Sequence, residues 1–349
     1  MWNRVVGKEM GIFGKLTGAY KRRRALSRDN SLSCDSKVGA YDAEKLPKIT
    51  VITPSYNQVE FLEECISSVL DQKYPKLEYI IIDGGSTDGS IEIIKKYEDK
   101  ISFWVSEPDA GQSDAINKGL KKCTGKLVSW LNADDFYFPG ALSAVAETYL
   151  QNPNASFYFG NGWRVDKKGK IKGRFFPTDQ LVFNREALIL GLNYILQPAT
   201  FINSTDLLKV GYLNPSLKFG MDTDLWIRLS EIRRPQPIPE FIAATREYGL
   251  TKTATGGFER VEELRRIAEK YSGLSMTPGV LCYFLDTLNN MLPRLERVFP
   301  SSFRRQIEAF WAEVANLMED FGARPDGFPY SSTARRRGKK KDSLKKILG

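Results

Sequence analysis

The clearest pattern in the chain reads Lys126-Leu-Val-Ser-Trp-Leu-Asn-Ala-Asp-Asp135. Residues 127–131 are apolar enough to predict a short buried strand, and two adjacent acids, Asp134 and Asp135, follow it. Carboxylates at the carboxyl end of such a strand lie where open α/β sheets bind their ligands. Neighbouring acids repel each other unless a cation or hydrogen-bond donors hold them, so this pair indicates a site for a hard divalent cation. Taken alone, the pair is explained more simply as an acidic turn.

The residues around this strand repeat one pattern, a strand followed by a helix. Apolar runs at residues 49–53, 77–83, 101–105 and 127–131 alternate with segments of helical periodicity. This order predicts parallel strands joined by right-handed crossovers. We therefore expect an α/β fold with a mostly parallel central sheet flanked by helices. The loops after the first, second and fourth strands should meet at one edge of that sheet.

Composition divides the chain into four parts. We predict a basic N-terminal arm at 1–47, the α/β domain at 48–250, a helical C-terminal extension at 251–330 and a basic disordered tail at 331–349. Residues 1–48 carry a net charge of +6 and residues 331–349 carry +7, so the body between them carries −4 of the net +9. An acidic body does not favour nucleic acid as a partner.

The basic ends allow two readings. An amphipathic, basic segment at residues 11–24 favours peripheral contact with an anionic membrane, but a solvated arm explains the same residues. No run of about 18 apolar residues and no secretory signal is recognisable. The expectation is a cytoplasmic protein, at the inner face of the membrane if the basic ends bind lipid.

The residue types present exclude several kinds of catalytic site. The chain has no histidine, which removes Ser-His-Asp and Cys-His catalysis and histidine metal ligands. Proton transfer then falls to carboxylates, Lys, Tyr or Cys. The four cysteines are scattered without paired spacing, which indicates free thiols in a reducing compartment.

Three acids should face one crevice, because Asp83 ends the second predicted strand as Asp134 and Asp135 end the fourth. Such a crevice suits a nucleoside diphosphate, with one acid near the base or ribose and another holding a cation against the phosphates. Tyr56 would offer the base an aromatic face, although an ordinary surface tyrosine explains it equally well. Gly111, before the next helix, would let the backbone approach a ligand.

Four motifs, taken together, resemble those of the family 2 glycosyltransferases. They are Val51-Ile-Thr-Pro-Ser-Tyr-Asn57, Asp83-Gly-Gly-Ser-Thr-Asp-Gly89, the segment from Asp109-Ala-Gly111 to Ala115-Ile-Asn-Lys-Gly119, and Trp130-Leu-Asn-Ala-Asp-Asp135. The match covers about residues 48–250, and the four motifs in this order are highly specific. The resemblance implies the GT-A fold, which binds nucleotide sugars.

The resemblance also implies a role for each matching position. Its donor-binding positions fall on Pro54, Tyr56, Asp83, Asp109, Gly111, Asn117 and Asp134. Asp135 matches the acid that binds Mg²⁺ or Mn²⁺ with the diphosphate, and Asp222 matches the general base. We expect Gln197 and Trp226 on the acceptor side. Asp224 directly precedes an apolar helical run and is expected as the N-cap of that helix.

Four positions depart from the family pattern. Asn132 and Gly84 stand where many relatives have Asp, Met221 replaces a Glu, and Tyr248 replaces a His near the diphosphate. A phenol is a poorer ligand than an imidazole for a divalent cation at neutral pH. Cation binding would therefore rest on Asp135 and the nucleotide.

The resulting hypothesis is an inverting, metal-dependent glycosyltransferase. It would move a sugar from a nucleotide-sugar donor to a hydroxyl of a glycan or lipid-linked acceptor, in surface polysaccharide or glycoconjugate synthesis. A catalytically silent GT-A domain that binds nucleotide or glycan is the alternative, kept open by Tyr248 and Met221. A dinucleotide-binding dehydrogenase is disfavoured, since no Gly-x-Gly-x-x-Gly follows the first strand.

Overall fold

A computed structural model describes the chain at residues 43–176, 181–249 and 251–295. Most of the predicted N-terminal arm, the end of the helical extension and the whole basic tail lie outside these ranges. The prediction of membrane contact through the basic ends therefore also lies outside the described residues. The domain boundaries stay predictions.

The described residues form nine β-strands and ten α-helices. The strands are β1 Ile49–Ser55, β2 Leu77–Asp83, β3 Phe103–Ser106, β4 Leu127–Trp130, β5 Phe136–Tyr137, β6 Phe157–Val165, β7 Ile171–Arg174, β8 Thr200–Asn203 and β9 Gln236–Arg246. The α-helices are α1 Val59–Leu70, α2 Ser90–Lys96, α3 Gln112–Lys122, α4 Ala141–Gln151, α5 Arg185–Ile189, α6 Ser204–Val210, α7 Met221–Ile232, α8 Lys252–Thr255, α9 Gly257–Ser272 and α10 Pro278–Leu295.

The strands form one sheet in the order β3-β2-β1-β4-β8-β6-β9-β5, with β7 paired to β6. The first four strands are parallel, as predicted, and β1 aligns Ser55 with Asp83 of β2 and Ile52 with Trp130 of β4. Beyond β4 the sheet is mixed. β8 runs antiparallel to both of its neighbours, β9 is parallel to β6, and β5 is antiparallel to β9. The α/β class is confirmed, and the parallel strands are confined to β1–β4 and the β6–β9 pair.

Helices cover both faces of the parallel strands, which explains why those strands are almost continuously apolar. In β1, Ile52 faces α3 and α7, whereas Ile49 and Val51 face α1 and α4. All three side chains are fully buried. Burying one such side chain stabilises the fold by about 1.5–3 kcal/mol. The core therefore fixes the carboxyl ends of the strands, from which the candidate site is built.

The helices α9 and α10 pack against the beginning of α7. Leu264 and Ile267 of α9 lie so close to Gly220 that an added Cβ there would be 3.1 and 2.5 Å from their side chains. A small apolar cluster joins α9 to α10. Among the described helices, none combines the length and the apolar character needed to cross a bilayer.

Candidate active site

The loops that follow β1, β2 and β4 meet at one edge of the sheet, because these strands are parallel neighbours. Hydrogen bonds join the first two loops directly. The backbone N–H of Asn57 donates to Oγ of Ser86 (2.8 Å), and the backbone N–H of Thr87 donates to Oδ1 of Asn57 (2.9 Å). The structure thus brings together the loops that the sequence predicted at a common edge.

Asp83 is fully buried beneath the loop that follows β2. Its Oδ2 accepts from the backbone N–H groups of Gly85 (3.1 Å) and Ser86 (2.8 Å) and from Oγ of Ser106 (2.7 Å), while its Oδ1 accepts from Oγ of Ser86 (2.5 Å). Four internal donors hold this carboxylate, so Asp83 fixes the shape of the loop. Its predicted contact with the nucleoside stays a prediction.

Tyr56, Gly84 and Asp109 form an open corner of the cleft. The ring of Tyr56 is 61% exposed, which suits a surface on which a base can stack. A Cβ on Gly84 would lie 2.6 Å from Oδ2 of Asp109 and 3.3 Å from Cδ2 of Tyr56. The carboxylate of Asp109 thus occupies the space that a side chain at residue 84 would need.

Three other predicted donor positions differ in their exposure. Gly111 is the N-cap of α3 with φ of 111°, and an added Cβ would meet open space, so its backbone is accessible. Pro54 is buried inside β1. The buried amide of Asn117 bonds the backbone of Leu213 at both ends, donating to O (2.9 Å) and accepting from N–H (3.1 Å). The side chains of Pro54 and Asn117 thus serve packing, and their predicted contacts with the donor stay predictions.

Asp135 is buried and is held by two donors. Its Oδ1 accepts from the backbone N–H of Arg246 (2.9 Å), and its Oδ2 accepts from Nδ2 of Asn132 (3.3 Å). Burial, and then the adjacent charge of Asp134, raise the pKa of Asp135 to about 8. The ionised form of Asp135 is thus unfavourable unless a positive charge lies next to it.

Asp134 lies beside Asp135 and accepts a hydrogen bond from Tyr248. The hydroxyl of Tyr248 donates to Oδ2 of Asp134 (3.1 Å), and the ring of Tyr248 packs on Phe61 with centroids 5.3 Å apart. Burial raises the pKa of Asp134. Burial and the charge of Asp134 also raise the pKa of Tyr248, so its phenol stays protonated and donates. The guanidinium of Arg246 donates to the backbone carbonyl of Asp134 and fixes the turn.

The two acids fit a cation that a ligand completes. Among the described residues, no three His, Cys, Asp or Glu side chains gather closely enough to hold a metal ion by themselves. Mg²⁺ is commonly bound through one or two carboxylates, with phosphate oxygens and water filling the remaining positions. Asp135 and Asp134 would supply that carboxylate share; burial raises the pKa of both acids, and a bound cation would favour their ionised forms.

A network of side-chain amides connects this turn to α3. Its member Gln112 is not among the residues predicted from the sequence. Nε2 of Gln112 donates to Oδ1 of Asn132 (2.7 Å), and Nδ2 of Asn132 donates to Oε1 of Gln197 (3.2 Å). Nε2 of Gln197 donates to the carbonyl of Trp130 (2.7 Å). Asn132 donates to Asp135 as well. Because its amide is uncharged, the turn does not hold a third carboxylate. Gln197 lies beside the acidic turn, and its acceptor role stays a prediction.

Asp222 is the second residue of α7. Its Oδ1 accepts from the backbone N–H of Thr223 (2.7 Å), and its Oδ2 accepts from Nδ2 of Asn193 (3.2 Å). Burial raises the pKa of Asp222 above that of an ordinary carboxyl. A carboxylate with a raised pKa accepts a proton more readily near neutral pH, which suits a general base.

The predicted capping role of Asp224 is wrong. The helix begins at Met221, its N-cap is Gly220, and Asp224 lies one turn inside. The buried carboxylate accepts from Nε of Arg228 (2.8 Å), Nζ of Lys270 (3.0 Å) and the hydroxyl of Tyr271 (2.6 Å). These contacts outweigh the effect of burial and lower the pKa of Asp224. Asp224 therefore ties α7 to α9.

Trp226 does not line the cleft, which corrects the prediction that it lies on the acceptor side. Its side chain is fully buried. The ring stacks on Trp130 with centroids 5.5 Å apart and packs against Phe157 at 5.1 Å. Trp226 lies about one helical turn after Asp222, and its indole packs in the apolar core.

A continuous line of contacts joins the acidic turn to Asp222. Gln112, which bonds Asn132, is followed by Ser113, whose Oγ lies 2.8 Å from Sδ of Met221. Met221 precedes Asp222 and is buried against α3. Contacts at the start of α3 therefore link the acidic turn to the residue before Asp222.

Comparison with known sequences gives a consistent picture. The family model described as Glycosyl transferase family 2 matches residues 50–202. A putative teichuronic acid biosynthesis glycosyltransferase, TuaG of Bacillus subtilis, is 36% identical over 187 residues, covering 52% of this chain and 72% of the relative. An uncharacterised glycosyltransferase of Rickettsia typhi is 29% identical over 227 residues, covering 62% and 70%. The chain covers only 28% of an uncharacterised glycosyltransferase of Rickettsia bellii, with 32% identity over 198 residues.

Solved structures share the fold at low sequence identity. Staphylococcus aureus TarS, residues 1–349 in complex with UDP-GlcNAc, has a TM-score of 0.54 and 17% identity, covering 77% of this chain and 79% of that one. The mannosyltransferase PcManGT from Pyrobaculum calidifontis, in complex with GDP-Man and Mn²⁺, has a TM-score of 0.51 and 18% identity, covering 86% and 90%. These neighbours support the GT-A fold. With the match to the family model and to TuaG, the four motifs lead to one conclusion: the chain belongs to glycosyltransferase family 2.

Proposed function

We propose that the protein is an inverting glycosyltransferase that moves a sugar from a nucleoside diphosphate sugar to an acceptor hydroxyl. One observation carries the proposal: a buried acidic turn that would hold a cation and a separate acid with a raised pKa, Asp222, are linked by contacts through the start of α3. A transfer of this kind needs a counter-charge for the leaving diphosphate and a proton acceptor for the hydroxyl.

The donor nucleoside lies, in this proposal, at the corner formed by Tyr56, Gly84 and Asp109. The exposed ring of Tyr56 stacks on the base, and the glycine lets the ligand approach the backbone closely. Oδ1 of Asp109 accepts from the backbone N–H of Gly111 (2.8 Å), which leaves Oδ2 to face the corner. The diphosphate extends toward the beginning of α3, where backbone N–H groups favour anions. TarS with UDP-GlcNAc and PcManGT with GDP-Man support a nucleotide-sugar donor.

Asp135 would hold Mg²⁺ or Mn²⁺, with Asp134 beside it. A divalent cation bound there supplies positive charge to the leaving diphosphate. The Mn²⁺ in the PcManGT complex supports this choice of ion. Tyr248 keeps Asp134 in place through its hydroxyl rather than acting as a ligand, since its phenol stays protonated.

The transfer is a single displacement. The acceptor oxygen forms a bond to the anomeric carbon while the bond from that carbon to the diphosphate oxygen breaks, which inverts the configuration. The hydroxyl proton passes to a carboxylate oxygen of Asp222, and the nucleoside diphosphate leaves. Asn193 donates to Oδ2 of that carboxylate and the backbone N–H of Thr223 donates to Oδ1, and the second lone pair of Oδ2 would accept the hydroxyl proton.

TuaG is described as a putative teichuronic acid biosynthesis glycosyltransferase. This relative supports an acceptor in surface polysaccharide or glycoconjugate synthesis, either a glycan or a lipid-linked sugar. We place the protein in the cytoplasm, where it would meet such an acceptor at the inner face of the membrane. The basic ends of the chain would supply that contact.

The melting temperature of the protein, measured with each of a panel of nucleotide sugars in the presence and absence of Mn²⁺, tests the proposed donor and cation together. A ligand that binds the folded state raises its melting temperature by mass action. We expect at least one nucleotide sugar to stabilise the protein only with Mn²⁺ present, and to release its nucleoside diphosphate slowly with water as acceptor. Stabilisation without any turnover would instead favour a silent binding domain.

A further inference from the structure

The helix that carries Asp222 has no cap of its own. Its N-cap is Gly220, which has no side chain, although the first backbone N–H groups of a helix need acceptors. The carboxylate of Glu263, from α9, instead accepts from the backbone N–H groups of the three residues before the helix. Oε2 accepts from the backbone N–H of Lys218 (2.8 Å), and Oε1 accepts from those of Phe219 and Gly220 (both 2.7 Å). A carboxylate from a distant segment thus fixes the turn that leads into α7.

Close packing leaves this turn little room to move. A Cβ on Gly220 would lie 2.5 Å from Cδ1 of Ile267 in α9. A Cβ on Gly256, just before α9, would lie 2.7 Å from Cε1 of Phe219. The backbone of residues 219–220 therefore lies directly on α9, and Glu263 holds it at three points.

The other side of Asp222 is held by α10. Asn193, which donates to Oδ2 of Asp222, follows the loop at residues 190–192. The backbone N–H of Gly279 in α10 donates to the carbonyl of Leu190 (3.1 Å), and a Cβ on Gly279 would lie 2.4 Å from the backbone carbon of Gly191. The turn before the helix of Asp222 contacts α9, and the loop before its amide partner Asn193 contacts α10. Both supports of the Asp222 carboxylate therefore depend on the segment that follows the α/β domain.

We propose that α9 and α10 belong to the catalytic apparatus, with Glu263 as the positioning residue for Asp222. The inference rests on the proposed role of Asp222 as base. Glu263 acts through the backbone of residues 218–220 and does not touch the reacting atoms. A base displaced by about 1 Å loses about 10²-fold in rate, so the contact is large enough to matter for turnover.

The test uses the full chain and two matched variants. Glu263→Gln keeps the shape of the side chain but turns one acceptor into a donor that faces backbone N–H. Glu259→Gln is the control, because Glu259 lies one turn earlier on α9 and bonds the side-chain Nζ of the same Lys218 (2.7 Å) at the surface. The measurement is release of UDP from UDP-GlcNAc, or of GDP from GDP-Man, with Mn²⁺ and water as acceptor.

We expect Glu263→Gln to lower kcat by about 10- to 100-fold while the KM for the donor stays within about twofold. Glu259→Gln should match the wild type in both. Glu263→Asp, which keeps the charge but shortens the reach, should lie between them. A kcat for Glu263→Gln within about twofold of the control, or a proportional rise in donor KM, would overturn the inference.

A measurement on the wild-type protein decides the matter if Glu263→Gln fails to fold. The backbone N–H groups of Lys218, Phe219 and Gly220 should exchange slowly with deuterium, and rapid exchange there would contradict the inference. Asp222→Asn separates the two levels of the argument. Full turnover in Asp222→Asn refutes the proposed base, whereas an inactive Asp222→Asn beside a fully active Glu263→Gln refutes only the positioning role.

Discussion

Asp222 and Asp224 stand two residues apart in one helix, and their surroundings give them opposite chemistry. Burial raises the pKa of Asp222. Asp224 is buried as well, but Tyr271, Lys270 and Arg228 donate to it and lower its pKa. An acid with a raised pKa can take up a proton during turnover, whereas an acid that stays ionised among cations contributes to stability.

The change Asp222→Asn should therefore lower kcat by about 10²–10⁴ with little change in Tm, since it keeps the shape and removes the proton acceptor. In the wild type, kcat should fall at low pH as Asp222 takes up a proton. The midpoint should lie above 3.8, the ordinary value for the group. Steady-state rates of diphosphate release as a function of pH measure both effects.

Asp224→Asn is the matched control. It should lower the free energy of unfolding by about 1–3 kcal/mol, because buried donors lose their charged acceptor, and it should affect kcat less. The two assignments are reversed if Asp222→Asn turns over normally and Asp224→Asn is inactive.

Cation binding at the proposed site should depend on pH through Asp135. Its pKa is raised to about 8 in the folded chain, whereas an unfolded chain has the ordinary value of about 4. Between these values the folded state holds a proton that the unfolded state has lost. The free energy of unfolding in EDTA should therefore fall as the pH rises from about 4 to about 8.

Binding of Mn²⁺ with UDP below that pKa should release the same proton. Calorimetry in two buffers of different ionisation enthalpy measures the release. Asp135→Asn should abolish both the release and the cation requirement while leaving the fold intact. Equal affinity of the wild type for UDP in EDTA and in Mn²⁺ would show that the cation is assigned wrongly.

At the scale of elements, the parallel half of the sheet is predictable because its signals are local. Each of β1, β2 and β4 is a buried apolar run, and a polar loop follows each one. The start of α7 is not predictable in this way. The apolar run from Leu225 suggests a later start, but the helix begins at Met221. The turn before it is held by Glu263, more than 40 residues further along the chain, where no local pattern reveals the contact.

The contact between α7 and α9 gives a prediction for the pair. Gly220→Ala places a methyl group against Ile267 and Leu264, so it should lower the free energy of unfolding by about 1–3 kcal/mol and reduce kcat. Gly249→Ala is the control, because an added Cβ there meets nothing within 4 Å. Chemical denaturation compares the two, and equal stability would contradict the close packing.

At the scale of the whole molecule, charge and chemistry are separated along the chain. The body carries −4, and the basic ends, at 1–48 and 331–349, carry the excess. A chain of residues 41–330 should keep diphosphate release and lose binding to vesicles that contain phosphatidylglycerol. Sedimentation with vesicles and the rate assay test both halves. A folded chain of this length without turnover would place one of the ends in the active site.

The lack of histidine bears on which metals a cell can load into this protein. The acidic turn offers oxygen atoms from Asp134 and Asp135, with the phenol of Tyr248 beside them. The thiol of Cys65 approaches the carbonyl of Asn132, but burial raises its pKa to about 12 and it stays protonated. Zinc and copper ions displace weaker-binding metals mainly where nitrogen or thiolate sulfur is available. The proposed site in this turn would offer oxygen ligands, which suit Mg²⁺ and Mn²⁺.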